Sequence, residues 1–473
     1  MSATHPERPS TTMEVARFVA AAEVDGTSRT EAARAVVDTL AVMLAGGAAA
    51  PVRLLERTLA PMPVGAPSFW SGSSYVGQDA ATLYGMAAHM LDYDDVSMLT
   101  ICHPTAPVLA AALATQQWER ILATELLDAL AIGTEVMIRL GQTMGFRHYG
   151  LGFHATSTLG TVGAAAACAR LKGLDADRTA HALAIAASLA SGLRKNFGSM
   201  VKPLHVGVAA ANGLRAAVWA ETGIEGSAEA LEDGGFLGAF SGGETDAWPA
   251  SIRLGEPFAI ASPGFERKRY PCCYMLHKII EATLGLAGEA SIDLDQLAGA
   301  EIEMPTGGLK PLIHPRPNDG LEARFSAPYA VVASLADRRF DLQSLRDAAV
   351  QRPELQARLP LVSLKEQVGP VLSGSEIDAA PVTVRLRLAN GCAVSRTVQV
   401  TPGSAHDPVT ETQLLAKWLD CFAEVGAIAS TETIEDLFHQ GLKLPAGTSL
   451  GGWLRALRSA VGSRKKAMVK RVV

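Results

Sequence analysis

Pro381-Val382-Thr383-Val384-Arg385-Leu386-Arg387-Leu388-Ala389-Asn390-Gly391-Cys392-Ala393-Val394-Ser395-Arg396-Thr397-Val398-Gln399-Val400 is the stretch on which the fold turns. Apolar and polar residues alternate with period two on both sides of Asn390-Gly391, the strongest short-range signal for a β-hairpin. Upstream, Ala300-Glu301-Ile302-Glu303-Met304-Pro305 reads as another short alternating strand. Residues 277–286 and 328–336 carry helical spacing between them, so this middle part is α+β.

The rest of the chain has a different period. From Met13 to about Ala261 apolar residues recur at three-to-four spacing, as in Val15, Phe18, Val19 and Ala22, or Ala33, Val36, Val37, Leu40, Ala41 and Leu44. Further helices are predicted over 80–91, 106–117, 123–144, 157–171, 176–193 and 206–222, with Gly and Pro between them. Helical spacing returns after Val409 in Leu414, Leu415, Trp418, Leu419 and Phe422. The expected fold is therefore mainly α. A large helical domain comes from both chain ends (1–262 and 406–473), with a smaller α+β lid domain inserted over 263–405. Pro-Gly pairs stand at both connections, Pro263-Gly264 and Pro402-Gly403, where a hinge rotation could be absorbed.

Composition narrows the class. A chain of 473 residues exceeds the size at which one core usually divides. Hydrophobic residues make up 48% and charged residues 19%, with a mean hydropathy of +0.17. That balance suits helices packed closely on small side chains, and a large subunit interface. No apolar run reaches the ~20 residues a membrane span needs, so no membrane is expected. A net charge of −6 argues against a nucleic-acid partner. The basic tail Ser463-Arg464-Lys465-Lys466-Ala467-Met468-Val469-Lys470-Arg471 reads as a solvated end. The polar first twelve residues lack a signal-peptide core. Six cysteines show neither disulfide nor zinc spacing, which fits a reduced, cytoplasmic setting.

Several residues stand out chemically. Gly152-Phe153-His154 opens a run of Ala, Thr and Ser at a predicted helix start, and Lys202 lies between Gly198 and Gly207 before an apolar segment. A buried cation is costly without a negative partner, so a small anionic ligand is a candidate for both. A satisfied structural histidine and a snorkelling lysine fit the same residues. Asp92-Tyr93-Asp94-Asp95 precedes Cys102-His103-Pro104, and Asp92 and His103 could face each other across one loop, the carboxylate orienting the imidazole. A solvated acidic turn is the alternative. Lys268 opens the insert with His277 close behind, a plausible anion clamp at a domain junction. Tyr329 begins an apolar helix, where a packed core tyrosine is equally natural. No HExxH, paired-His or other cofactor motif is present. Together Asp, His, Lys and Tyr suit proton transfer beside a carboxylate, with cations stabilising enolate charge.

Taken in order, Leu91-Asp92-Tyr93-Asp94-Asp95, His103-Pro104, Gly152-Phe153-His154, Ser191-Gly192, Lys202-Pro203-Leu204-His205 with Gly207, Lys268 with Tyr270-Pro271-Cys272, and Gly320 to Ser326 with Tyr329 resemble the MmgE/PrpD proteins over nearly the whole chain. That family includes 2-methylcitrate dehydratases, cis-aconitate decarboxylases and iminodisuccinate epimerases. The resemblance implies a helical domain with an α+β lid, a homodimer, and an active site between the domains without metal or organic cofactor. It carries active-site positions onto Asp92, His103, His154, Lys202, Lys268 and Tyr329, with His277 lining the site. Lys202, Lys268 and His154 would hold carboxylates. His103 would be the acid/base, oriented by Asp92, and Tyr329 a second proton donor or an anchor. One departure is that Val96 and Ser97 stand where members often carry Thr and His. The expected activity is a lyase on a small di- or tricarboxylate, with an epimerase or a non-catalytic binding protein as alternatives.

Overall fold

The structure is a computed structural model describing residues 10–462 apart from 116–117, 233, 246–247, 290, 371 and 373. The basic stretch 463–471 and the first nine residues lie outside the described part. The chain is mainly helical with a smaller α+β part. Helices Gly26–Gly47, Gly77–His89, Thr105–Ala114, Ala123–Gly150, Ala155–Leu171, Ala176–Leu189 and Val201–Glu221 pack together. Helix Glu411–Val425, from the chain's far end, lies on Gly26–Gly47. One hydrophobic core draws on residues between Val15 and Phe265 and between Val409 and Val461, with Leu342 of the insert reaching into it.

Small residues set the helix spacing. Gly77–His89 and Val201–Glu221 approach so closely that a Cβ on Gly207 would fall 2.1 Å from Thr82 O, and one on Gly85 2.8 Å from Gly207 Cα. Gly207→Ala is therefore expected to destabilise by about 1–3 kcal/mol, since the obstruction is backbone and cannot rotate away. Thermal denaturation checks it, and an unchanged melt would show that the helices can separate freely.

The insert has its own core, from Tyr270 to Leu386. Its four-stranded sheet runs in the order Val362–Glu366, Leu297–Met304, Val382–Leu388, Ala393–Val398. The predicted hairpin is present, with Val382 opposite Val398 and Leu386 opposite Val394. Gly391 takes φ +84° in its turn, and Asn390 Oδ1 accepts from Cys392 N at 2.9 Å. Val382, Val384 and Leu386 face the core while Arg385 and Arg387 face outward. Val362–Glu366, which pairs in parallel with Leu297–Met304, is a strand absent from the sequence reading.

The two connections are tied to each other. Arg267 N donates to Gly403 O at 2.9 Å, and Gly403, at φ +89°, has Arg267 O where a Cβ would sit. Lys417 of the Glu411–Val425 helix adds a buried clamp. Its ammonium pairs with Asp38 at 2.7 Å and donates to Tyr93 O at 2.7 Å and Lys268 O at 3.1 Å. Among the described residues no single helix is long and apolar enough to cross a membrane. All six cysteines are free.

Candidate active site

Helix Gly77–His89 ends at Met90, and the chain then turns sharply through Asp92, which takes φ +50°. Aspartate tolerates this left-handed region better than most residues. The turn brings Asp94 back beneath the helix end, where His89 Nδ1 meets its carboxylate at 2.8 Å. Val96 then pairs with Glu266 of the exit connection, N to O at 2.9 and 2.8 Å. The chain returns to His103, whose backbone N donates to Thr156 Oγ1 at 3.0 Å. His154 stands at the N-cap of Ala155–Leu171. Lys202 lies in the first turn of Val201–Glu221, where the following Pro203 is tolerated.

These segments converge on a cleft of about 750 Å³ between helical part and insert, lined by Asp92, His103, His154, Lys202 and Lys268 among others. Asp92 Oδ1 accepts from Lys268 Nζ at 2.7 Å and Lys202 Nζ at 3.0 Å. Lys268 also donates to Asp92 O at 2.8 Å. The Lys202 ammonium sits about 5 Å over the rings of Phe197 and Phe325. His103 Nδ1 approaches Asp94 Oδ2 at 3.2 Å, off the line of a good hydrogen bond, and its Nε2 faces Asp92 Oδ1 at 3.7 Å. His154 Nδ1 meets His205 Nδ1 at 3.2 Å, so one ring donates to the other.

Burial and pairing set the charges. Burial would raise the Asp92 carboxyl, but the Lys202 and Lys268 ammoniums outweigh it and hold it well below the usual range. Burial would lower the Lys268 ammonium, and Asp92 reverses this, so it is raised. Burial lowers His103 against the pull of Asp94. His154 falls well below the ordinary imidazole value through burial, with His89 and Lys202 adding repulsion. His89 is lowered to about 4 by burial. The imidazoles on this floor are therefore neutral at pH 7.

Five of the seven sequence-predicted positions line the cleft, and two lie elsewhere. Tyr329 is fully buried in the insert's core, its hydroxyl donating to Ser344 O at 2.6 Å. It does not line the cleft, and its placement matches the packed core tyrosine. His277 is fully buried between the rings of Tyr270 and Tyr274, at 5.3 and 5.2 Å, and also stays off the cleft. Two relationships also differ. The carboxylate beside His103 Nδ1 is Asp94, while Asp92 serves the lysines. Lys202 has its negative partner inside the chain, so a ligand is not required to neutralise it. Sequence reasoning passed over His89 and took Asp94 as one of three equivalent acids. The signal was the five-residue step from His89 to Asp94, across a helix end.

His89, Asp92, Asp94 and His103 each bring a metal-ligating atom within 4.8 Å of the others, a grouping invisible in their spacing. The set fits a metal poorly. Asp92 Oδ1 already lies on two ammoniums, and a dication placed there would meet both.

Comparison with known proteins matches two family domains, the second beginning in the insert and running on into the C-terminal helices. The MmgE/PrpD N-terminal domain matches residues 13–248, and the MmgE/PrpD C-terminal domain matches residues 270–440. Among curated proteins, the cis-aconitate decarboxylase of Homo sapiens is 28% identical over 373 residues, covering 76% of this chain and 74% of its own length. That of Mus musculus is 27% identical over 391 residues, covering 79% and 76%. The Aspergillus terreus enzyme of the same name is 25% identical over 412 residues, covering 81% and 83%.

Proposed function

We propose that this chain, which belongs to the MmgE/PrpD family, is a lyase that removes water or CO₂ from a small di- or tricarboxylate without metal or organic cofactor. The observation that carries this reading is the neutral imidazole of His103 beside two paired ammoniums on the floor of one cleft. Asp94 at Nδ1 favours the Nδ1–H tautomer, which leaves the Nε2 lone pair toward Asp92 and the cleft. For loss of water, Nε2 takes the proton from the carbon next to a carboxylate while the hydroxyl on the adjoining carbon leaves, protonated, as water. For loss of CO₂, the C–C bond breaks, its electron pair stays on the carbon next to the remaining carboxylate, and a protonated Nε2 returns a proton there. Negative charge grows on that carboxylate's oxygens, where ammonium donors stabilise it. An ammonium has three donors. Lys202 spends one on Asp92 and Lys268 two, so both retain a donor for a substrate carboxylate. The family resemblance and the Ala- and Gly-rich helices lead us also to propose a homodimer.

The test is turnover of a polycarboxylate panel followed by NMR in D₂O, with and without EDTA. Deuterium is expected to enter the α-carbon during turnover, with EDTA making no difference. Deuterium entering without net turnover would instead mark an epimerase. Because burial depresses His103, its basic form persists as pH falls through the ordinary imidazole value near 6.5. The acid limb of kcat/KM is expected below that value. A rate that climbs as pH drops would make His103 the proton donor and overturn the base assignment.

A further inference from the structure

Besides the lysines and histidines, the cleft is lined by Val96, Met98, Ile101, Tyr274 and Met275. Val96, Met98 and Tyr274 form a small hydrophobic cluster separate from the helical core and the insert's core, with Ile101 and Met275 packed on it and Met275 also touching the insert's core. Val96, Met98 and Ile101 come from the loop after Asp92, Tyr274 and Met275 from the insert, and Ile377 extends this apolar wall.

The backbone at this wall is strained. Among the described residues four other than glycine have positive φ, and two of them, Asp92 and Ile101, line the cleft. Ile101 sits at φ +49°, where a β-branched side chain is a steric outlier. Such strain persists only where the surroundings impose it, and it clusters at functional sites.

Charge points the same way. Lys202 and Lys268 face Asp92, which leaves one positive charge uncompensated between them. Arg324, its guanidinium bonded to Leu91 O and Gly320 O, adds a positive charge that acts on Asp92, and Asp94 adds a negative one that acts on Lys268, so these two offset each other at the floor. Both pocket histidines are neutral at pH 7. Lys310 is exposed at the mouth, where water screens it. A floor of this charge accommodates one or two carboxylates. The Val96, Met98 and Ile101 side chains offer a third no donor.

We propose that the substrate is a dicarboxylate bearing an alkyl or aryl substituent that lies on the Val96–Met98–Ile101–Tyr274–Met275 wall, not a compact tricarboxylate. This rests on the lyase reading above and narrows its substrate class. Calorimetry with unreactive succinates tests it on the wild-type protein. Affinity is expected to rise about fourfold per methylene from 2-methylsuccinate to 2-butylsuccinate. 2-Isobutylsuccinate is expected to bind at least tenfold tighter than propane-1,2,3-tricarboxylate, its near-isostere. Ile101→Asn is expected to fold, because asparagine adopts the left-handed region readily, and to erase most of that tenfold preference. Equal or tighter binding of the tricarboxylate would overturn the proposal while leaving the lyase reading intact. So would a folded Ile101→Asn variant with the alkyl preference unchanged. Failure of every succinate to bind, with no deuterium exchange into any carboxylate, would overturn both.

Discussion

Replacing His103 by alanine is expected to lower turnover by about 10²- to 10⁴-fold, the usual contribution of a positioned acid/base, while the melting curve stays close to that of the wild type. The stability half follows from the neighbours. Asp94 keeps His89 at 2.8 Å, and Asp92 keeps both ammoniums, so the deletion strands no charge. The ring itself is neutral and reaches the cleft, so it stabilises the fold mainly by packing against His89, whose ring centroid is 4.4 Å away. The catalytic half follows from Nε2, which faces the region between Asp92 and the cleft. Two readouts separate a chemical role from a structural one. Deuterium exchange should fall with turnover, and the acid limb of the pH profile should vanish with the imidazole. Near-normal exchange in a folded His103→Ala protein would remove this residue from the chemistry.

What could be read from the sequence depended on how local its cause was. Asn390-Gly391 forces a hairpin within twenty residues, and that hairpin is present. Val362–Glu366 is only five residues long and pairs in parallel with a strand some sixty residues earlier, so no local signal marks it. Helices were legible from their period, but their ends shifted where backbone geometry intervened. The one predicted over 123–144 runs to Gly150 across a non-helical Gly145. At the site, resemblance to a family singled out Asp92, His103, His154, Lys202 and Lys268, and all five line one cleft. The division of labour among Asp92, Asp94 and Asp95 was not legible. It is set by the left-handed turn at Asp92, which sends one carboxylate to the lysines and the next to the histidines. Asp95 turns to Thr105 at 2.5 Å and, through burial, is pushed up to about 7. Tyr329 shows the opposite limit. The sequence shows it in the first turn of an apolar helix, but only the fold decides that its hydroxyl reaches Ser344 O. The apolar wall was hidden for a similar reason, since Val96 to Ile101 and Tyr274-Met275 meet only when the two parts of the chain are joined.

Asp92→Ala is expected to cost about 3–5 kcal/mol of stability, the range for removing one partner of a buried ion pair, out of a total of about 5–15 kcal/mol for a typical domain. One carboxylate, 4% exposed, separates two buried ammoniums, and its loss leaves them facing each other. The pH dependence gives the sharper signature. In the wild type the Asp92 carboxyl is depressed, so its contribution is full above the unfolded value near 3.9 and is lost as pH falls toward the folded value. Lys268 is raised, so its contribution is full below the unfolded value near 10.4 and is lost as pH climbs through the folded value. As far as this pair is concerned, wild-type stability is flat through neutral pH. Without Asp92, the burial that Asp92 offsets pushes Lys268 down, and the unfolded chain then binds more protons than the folded one. The variant should therefore gain stability as pH rises from 7 to 10, the reverse of the wild-type trend at the alkaline end. A dicarboxylate supplies the missing negative charge, so succinate should raise the melting temperature of Asp92→Ala more than that of the wild type. Asp92→Asn, which keeps the shape and removes the charge, should show the same pH slope with less loss from packing. Thermal melts across pH, with and without succinate, decide the matter. If both variants melt like the wild type with no alkaline gain, the two ammoniums are not held by Asp92, and the charge count assigned to the cleft floor fails with it.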